Sequence, residues 1–190
     1  TFTPEQFVER INIDLANDFG NLLNRTIGMM NKYFGGIIPS YQGALTPLDE
    51  ALEAFGKQTI KNYQNNFETL HVTEAISNVF DYISKANKYI EENQPWVLAK
   101  DETKKDILQS VMNHLANVLR QCAILLSPVL LDSPNKLFTQ LNIEKEKQTY
   151  LSVNAFDILG GEKVVEKSTP LFPRLDTNIE IEFIKSLMGK

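Results

Sequence analysis

The sequence predicts an all-α fold in which amphipathic helices pack as an antiparallel bundle. Apolar residues recur at spacings of three and four along four long stretches of the 190-residue chain, which is the periodicity of helices with one buried face. Proline or paired glycines follow three of these stretches and are typical helix stops. Alternation of apolar and polar residues is not sustained over five residues, apart from a short candidate strand at 163–166. Four such helices predict a bundle.

The first helix is predicted over residues 4–34. Thr3-Pro4 begins it, because Thr is a good N-cap and Pro suits the first helical position. Gly35-Gly36 ends it, since glycine readily adopts the left-handed conformation that closes a helix. The predicted inward stripe consists of Phe7, Ile11, Leu15, Phe19, Leu22, Leu23, Ile27, Met30 and Phe34.

The next three helices follow from the same signals. Thr46-Pro47 begins a second helix, which is predicted to end at about Asn65. A third is predicted from Glu68 to about Asn93, and a fourth ends at Leu126 before a proline. The predicted inward positions are Leu70, Ile76, Val79, Phe80, Ile83 and Ile90 in the third helix, and Ile107, Leu108, Val111, Met112, Leu115, Val118, Leu119, Leu125 and Leu126 in the fourth.

The C-terminal part is less regular. Ser133-Pro134 begins a short helix through Leu141, Gly160-Gly161 marks a connection, and Thr177 to Met188 is predicted to be a capped helix. We therefore expect a helical domain over 1–160, followed over 161–190 by a connection and a final helix.

Composition and charge argue against several classes of function. The chain has 43% hydrophobic and 23% charged residues, as soluble globular proteins do. Its single cysteine excludes an internal disulfide, and we expect a reducing, cytoplasmic location. No apolar run approaches the roughly 20 residues of a membrane span, so we expect no membrane partner. A net charge of −5 argues against broad binding to DNA or other phosphate backbones. The first residue is Thr rather than Met, so residues that matter for activity are expected upstream.

The sequence predicts no catalytic centre and no metal site. Two glycine pairs are too few for a phosphate-binding loop. Cys122 and His114 lie eight residues apart on one apolar helix, which is too far for a nucleophile and its base. Cys122 is therefore interpreted as a small buried side chain, and Glu91-Glu92 as solvated surface, because adjacent helical residues do not face each other.

Three polar side chains on the first helix suggest a binding face. Asn17, Asn21 and Arg25 are spaced by four residues, so an α-helix places them in a ladder along one side. Asn offers a donor and an acceptor and Arg offers a planar fork, which suits the edges of unpaired bases. The alternative is an ordinary solvated helix face.

Pro95-Trp96 is the second candidate, because it holds the only tryptophan of the chain at the end of the third predicted helix. A tryptophan fixed beside proline can present a rigid face on which an exposed base stacks. The alternative is a tryptophan that packs between two helices.

Three segments of the chain together resemble the methionyl-tRNA synthetase family. Their order and separation agree with that family across nearly the whole chain. They are Arg10-Ile11-Asn12 with Asp14-Leu15-Ala16-Asn17-Asp18-Phe19-Gly20-Asn21-Leu22-Leu23-Asn24-Arg25 and Asn31-Lys32-Tyr33-Phe34, then Ala86-Asn87-Lys88-Tyr89-Ile90 with Gln94-Pro95-Trp96-Val97-Leu98-Ala99-Lys100, and finally Pro170-Leu171-Phe172-Pro173-Arg174-Leu175-Asp176. The resemblance implies the helical anticodon-binding domain of a class I aminoacyl-tRNA synthetase.

The resemblance also implies roles for the candidate residues. Asn17, Asn21, Arg25 and Trp96 would face the CAU anticodon of methionine tRNA, initiator and elongator alike. Asn21 and Arg25 would contact bases or phosphates, and Trp96 would stack while Pro95 holds it. Three further asparagines, Asn12, Asn31 and Asn87, are instead expected to tie helices and loops together.

The family's catalytic half carries two ATP-handling motifs, of the His-Ile-Gly-His and Lys-Met-Ser-Lys-Ser types, and neither occurs in this sequence. The chain alone is thus expected to be inactive and to hold no cofactor, whereas the complete enzyme would use ATP and magnesium. Residues 161–190 would pack back towards that catalytic domain. Two alternatives are a helical protein-interaction module and the anticodon-binding domain of another class I synthetase.

Overall fold

The computed structural model describes residues 2–188 and confirms the all-α prediction. Its α-helices are α1 (Pro4–Arg10), α2 (Asn21–Phe34), α3 (Pro47–Glu68), α4 (Val72–Asn93), α5 (Pro95–Leu98), α6 (Lys105–Leu126), α7 (Ser133–Leu141) and α8 (Thr177–Met188), with a π-helical segment at Ile11–Gly20 and 3-10 turns at Glu102–Lys104, Lys145–Gln148 and Tyr150–Ser152. Within the described part of the chain, the candidate strand at 163–166 is reduced to one isolated bridge between Ile37 and Lys163. Thr1, Gly189 and Lys190, at the outer ends of the two predicted units, lie outside the described residues.

The predicted first helix is one helical run, but its middle is not α-helical. Thr3 caps α1 as predicted, with its hydroxyl accepting from the Gln6 amide, and the run continues through the π segment into α2. A π turn holds about one residue more than an α turn, so the inward faces before and after the segment are out of phase. The predicted inward stripe is therefore wrong in α1, where Phe7 is exposed and Val8 is buried instead.

The predicted boundary between the second and third helices is also wrong by several residues. Thr46 begins α3 with a capping box to Asp49, but α3 continues to Glu68 and α4 begins only at Val72. Leu70, predicted to face inward, lies in the intervening turn at φ 61° and is 85% exposed. The turn takes it out of the helical register on which that prediction depended.

Helix α6 is the centre of the fold, in contact with α2, α3, α4, α5 and α7. Every residue of 110–126 is buried, although the sequence predicted a helix with only one inward face. Most of its polar groups make internal hydrogen bonds, because a buried polar group without a partner is costly. For example, the Asn113 amide donates to the carbonyls of Pro39 at 2.6 Å and Leu159 at 2.9 Å. Among the described residues, Asn117 Oδ1 and Arg120 Nε have no hydrogen-bond partner.

The segment between α7 and α8 returns along the first helical run in the opposite direction. Asn31 Nδ2 donates to the Val165 carbonyl at 2.9 Å. Further along, the Asn12 side chain donates to the Leu175 carbonyl at 3.0 Å and accepts from the Leu175 amide at 2.8 Å. Helix α8 then lies against α1, where Lys185 pairs with Glu5 at 2.5 Å.

These contacts confirm the expected tying role of three asparagines. Asn12 and Asn31 hold the returning segment, and Asn87 Nδ2 donates to the Asp18 carbonyl at 3.2 Å, which links α4 to the π segment. Two of the asparagines of the first helical run, Asn12 and Asn31, therefore have a structural role.

Candidate nucleic-acid interface

Asn17 and Asn21 line one wall of an open surface groove of about 360 Å³. Both side chains are exposed, Asn17 in the π segment and Asn21 at the first position of α2. The opposite wall is the returning segment, from Pro170 to Arg174. The groove thus combines the side-chain amides of Asn17 and Asn21 with the guanidinium of Arg174.

Gly20 fits closely inside the π segment beside this groove. A Cβ at this position would lie 3.3 Å from the Leu15 carbonyl oxygen and 3.9 Å from the Phe172 ring. The first distance is tighter than most carbon contacts, so a larger residue would require a small shift of the π segment, whereas the second is an ordinary contact with the returning segment.

Arg25 points across to the end of α4 instead of into the groove. Its Nη2 donates to Glu91 Oε1 at 2.6 Å, and both side chains remain partly exposed. The geometry leaves other N–H groups of the guanidinium fork for a ligand. The pairing also compensates the charge of Arg25, so general attraction to phosphate is weakened.

Glu91 is the residue at this site that the sequence interpretation missed. Glu91 and Glu92 were both interpreted as solvated surface, and both are exposed. Glu92 pairs with Lys88 at 3.5 Å, whereas the pairing of Glu91 with Arg25 was not predicted. The available signal was the position of Glu91 on the last turn of α4, just before Trp96. Sequence spacing within one helix gives no information about a contact between two helices.

Trp96 lies just after the junction between α4 and α5, where a single residue separates the two helices. Gln94 alone separates the two helices, in the left-handed conformation with φ 48° and ψ 65°. Its amide donates to the Ile90 carbonyl at 3.0 Å, and its carbonyl accepts from the Val97 amide at 2.7 Å. Pro95 is buried, whereas Trp96 is 39% exposed.

These residues lie on consecutive or contacting elements. Asn21 and Arg25 are one α-turn apart on α2, Arg25 contacts Glu91 in the last turn of α4, and Trp96 lies in α5, which follows α4. Their side chains offer amides, a partly compensated guanidinium and an indole, which are groups that recognise unpaired bases.

Three further features of the described residues bear on metal binding, cysteine reactivity and membrane insertion. No group of His, Cys, Asp or Glu side chains within 2–188 is placed to hold a metal ion. Cys122 is buried as predicted, and burial raises the pKa of its thiol well above the usual value. Between residues 2 and 188, no helix is long and apolar enough to cross a membrane.

Comparison with known proteins gives one consistent result. A family model described as the anticodon binding domain of methionyl tRNA ligase matches residues 38–189. The chain is 51% identical over 188 residues to the methionine–tRNA ligase of Bacillus subtilis (strain 168), covering 98% of this chain and 28% of that protein. It is 47% identical over 188 residues to methionine–tRNA ligase 1 of Bacillus cereus, with the same coverage.

Solved structures agree with the sequence relatives. The apo form of methionyl-tRNA synthetase from Mycobacterium tuberculosis superimposes with a TM-score of 0.85 at 28% identity, over 92% of this chain and 35% of that one. The methionyl-adenylate complex of the same enzyme gives a TM-score of 0.83 at 28% identity, over 90% of this chain and 34% of that chain. The chain therefore spans about 28% of the length of its curated relatives.

Proposed function

The chain belongs to the methionyl-tRNA ligase family as its anticodon-binding domain, and we propose that it recognises the CAU anticodon of methionine tRNA, both initiator and elongator. The complete protein would join methionine to that tRNA in the cytoplasm, with ATP and magnesium handled by its catalytic domain. Within the chain itself, the proposed function is binding.

The observation that supports this proposal most is the position of Trp96. Its indole is exposed on a buried proline, directly after the helical turn that holds Arg25 through Glu91. A rigid indole and a planar guanidinium fork are each suited to a base that has left its stack. We assign Trp96 to stacking, Pro95 to holding it, and Asn21 and Arg25 to the base edge or its phosphate. Asn17 would contact a neighbouring nucleotide from the groove.

A titration with anticodon stem-loops tests this proposal. Because Trp96 is the only tryptophan, its fluorescence reports directly on stacking. We expect a loop with CAU to quench the fluorescence at lower concentration than the same stem with an unrelated triplet. Equal binding of both loops, or of neither, would contradict anticodon recognition and favour a protein-interaction module.

Two substitutions separate stacking from edge recognition. Trp96→Ala should weaken the CAU loop by about 1–3 kcal/mol, measured with a labelled RNA, whereas Phe183→Ala, which removes an exposed aromatic of α8, serves as the control and should have no effect. Arg25→Ala should cost about 1–3 kcal/mol and relax discrimination at one base. A loss of helicity in Trp96→Ala would instead indicate a packing role.

A second part of the proposal concerns the apolar face shared by α1 and α8. The two helices pack together, and large apolar side chains in them or next to α1 remain exposed. The exposed residues are Phe2, Phe7, Ile13, Ile179, Phe183, Leu187 and Met188. Exposed apolar side chains concentrated in one part of a molecule are typical of a docking site. We assign 1–160 to the anticodon-binding domain and 161–190 to a connection whose final helix packs against the catalytic domain.

This docking is tested in the full-length enzyme. Phe183→Asp should lower aminoacylation there by loosening the domain contact, while leaving stem-loop binding by the 190-residue chain unchanged. Leu151→Asp is a matched control, because Leu151 is 96% exposed on a different surface. An equal effect of both substitutions would contradict docking on α8.

A further inference from the structure

We infer that Tyr89 and Asp49 are positioning residues for RNA recognition, because the buried hydrogen bond between them fixes the end of α4, which carries Glu91 and leads directly into the junction with α5, where Trp96 lies. Neither residue touches the surface, so both act through the side chains that they hold in place. The inference rests on the proposed function for its RNA-binding consequence, whereas its mechanical part concerns the structure of this chain alone.

The Asp49 carboxylate joins three elements of the bundle. Its Oδ1 accepts from the Tyr89 hydroxyl of α4 at 2.5 Å. Its Oδ2 accepts from the Ser110 hydroxyl of α6 at 2.9 Å and from the amides of Leu45 and Thr46 at 2.9 and 3.1 Å, at the start of α3. Asp49, Tyr89 and Ser110 are all buried. The start of α3, the end of α4 and the first part of α6 are thus fixed to one group.

Electrostatics favours the ionised form of this group. Burial acts to raise the pKa of Asp49, but the hydrogen bonds from Tyr89, Ser110 and the backbone, together with nearby His114, outweigh it and leave the pKa below its usual value. Burial and the adjacent carboxylate raise the pKa of the Tyr89 phenol, so Tyr89 remains a donor. A neutral donor on an ionised acceptor makes a short and strong hydrogen bond.

The chain between Tyr89 and Trp96 has no flexible residue to absorb a displacement. The Tyr89 carbonyl accepts from Asn93 Nδ2 at 2.9 Å, and Gln94 is bonded to Ile90 on one side and Val97 on the other. A movement of Tyr89 relative to Asp49 is therefore transmitted to Trp96 through hydrogen-bonded helix. Glu91 lies two residues after Tyr89 and would move with it, and so would its contact to Arg25.

The molecule provides a matched control in Tyr63. This tyrosine is also buried, and its hydroxyl donates to the Leu125 carbonyl at 2.6 Å. This hydrogen bond links α3 to α6 near the C-terminal ends of both helices, away from the start of α3 where Asp49 lies. Tyr63→Phe and Tyr89→Phe each remove one hydroxyl from a buried hydrogen bond. They differ in whether that bond supports the α4–α5 junction.

The experiment compares the two variants in the 190-residue chain, at a temperature where both are fully folded by circular dichroism. For Tyr89→Phe, we expect lower Trp96 fluorescence anisotropy, faster quenching by acrylamide, and binding of the CAU stem-loop that is weaker by about threefold to tenfold. For Tyr63→Phe, we expect a similar fall in melting temperature with Trp96 fluorescence and RNA affinity unchanged. Asp49→Asn tests the same bond from its acceptor side and should act as Tyr89→Phe does.

The inference is overturned if Tyr89→Phe and Asp49→Asn leave Trp96 fluorescence unchanged, or if Tyr63→Phe alters it equally. If the unsubstituted chain binds no stem-loop, the proposed function fails, while the fluorescence comparison still decides whether Tyr89 positions Trp96. If Tyr89→Phe does not fold, Asp49→Asn and the Trp96 signal carry the test.

Discussion

Helices α6 and α8 differ in burial, although both were predicted as helices from the chain alone. Helix α6 is buried on all sides over 110–126, whereas none of the described residues of α8 is buried. In α6, even Arg120 is enclosed and bonded internally, while in α8 the aromatic Phe183 is 58% exposed. The difference separates a helix whose partners are all within this chain from a helix that presents its apolar side outward.

The largest expected effect is the loss of Arg120. Its guanidinium donates to the carbonyls of Lys147 at 3.0 Å, Ser152 at 3.2 Å and Ala155. Arg120→Ala would remove these hydrogen bonds and leave a cavity in place of a fully buried side chain, at a cost of about 4 kcal/mol in the free energy of unfolding. The control is Arg10→Ala, which removes only an exposed pair and should cost less than about 1 kcal/mol. Equal urea midpoints for the two variants would contradict the stabilising role of the internal partners of α6.

The next effect compares one leucine from each helix. Leu119 in α6 is fully buried and Leu187 in α8 is largely exposed. Leu119→Ala should lower the free energy of unfolding by about 3 kcal/mol, because it leaves a cavity, whereas Leu187→Ala should change it by less than about 0.5 kcal/mol. Thermal denaturation of both variants measures the difference. A comparable loss for Leu187→Ala would mean that α8 stabilises the isolated chain.

A smaller effect depends on pH and concerns Asp49, which is bonded to α6 through Ser110. Asp49→Asn should cost about 2 kcal/mol at pH 7, because an amide replaces an ionised acceptor of several donors. Since the pKa of Asp49 is lowered in the folded state, its stabilisation is complete above its unfolded pKa of about 4 and is lost as pH falls through the folded value. The two unfolding curves should therefore converge in acid. A constant difference from pH 7 down to the lowest pH would contradict the ionised assignment.

The smallest effect is expected in α8 itself. Phe183→Ala should leave the stability of the 190-residue chain within about 0.5 kcal/mol of the original. Removing the same ring from the full-length enzyme should measurably lower its melting temperature, because there the ring would be covered. Differential scanning calorimetry of both lengths provides the test, and no change in either would argue against docking.

The sequence predicted those features that depend on local chemistry. Thr3-Pro4 and Thr46-Pro47 begin helices as expected, since capping and proline geometry are decided within one turn. The π segment was missed because its periodicity is only slightly longer than that of an α-helix. The complete burial of α6 was missed because apolar periodicity records the residues that prefer the interior, and does not record polar residues such as Asn113 that find partners there.

In the candidate site, too, local features were predicted and contacts between distant elements were not. The exposure of Trp96 beside buried Pro95 agrees with what the local sequence suggested. The pairing of Arg25 with Glu91 joins two helices that are far apart in sequence, and no spacing rule within one helix predicts it. Asn17 and Asn21 were predicted to share a face with Arg25, but the structure places them in an open groove whose opposite wall is the returning segment. The path of that segment depends on the whole fold. Their contact with RNA stays a prediction.

The contact between Glu5 and Lys185 brings the first and last described helices together. Because α1 and α8 are neighbours, a flexible linker between them would allow circular permutation of these helices without rearranging the core. New termini in the exposed turn at Leu70 would then leave α6, the α4–α5 junction and the groove intact. We therefore expect the proposed recognition to depend on the spatial arrangement of the helices and not on the order in which they are synthesised.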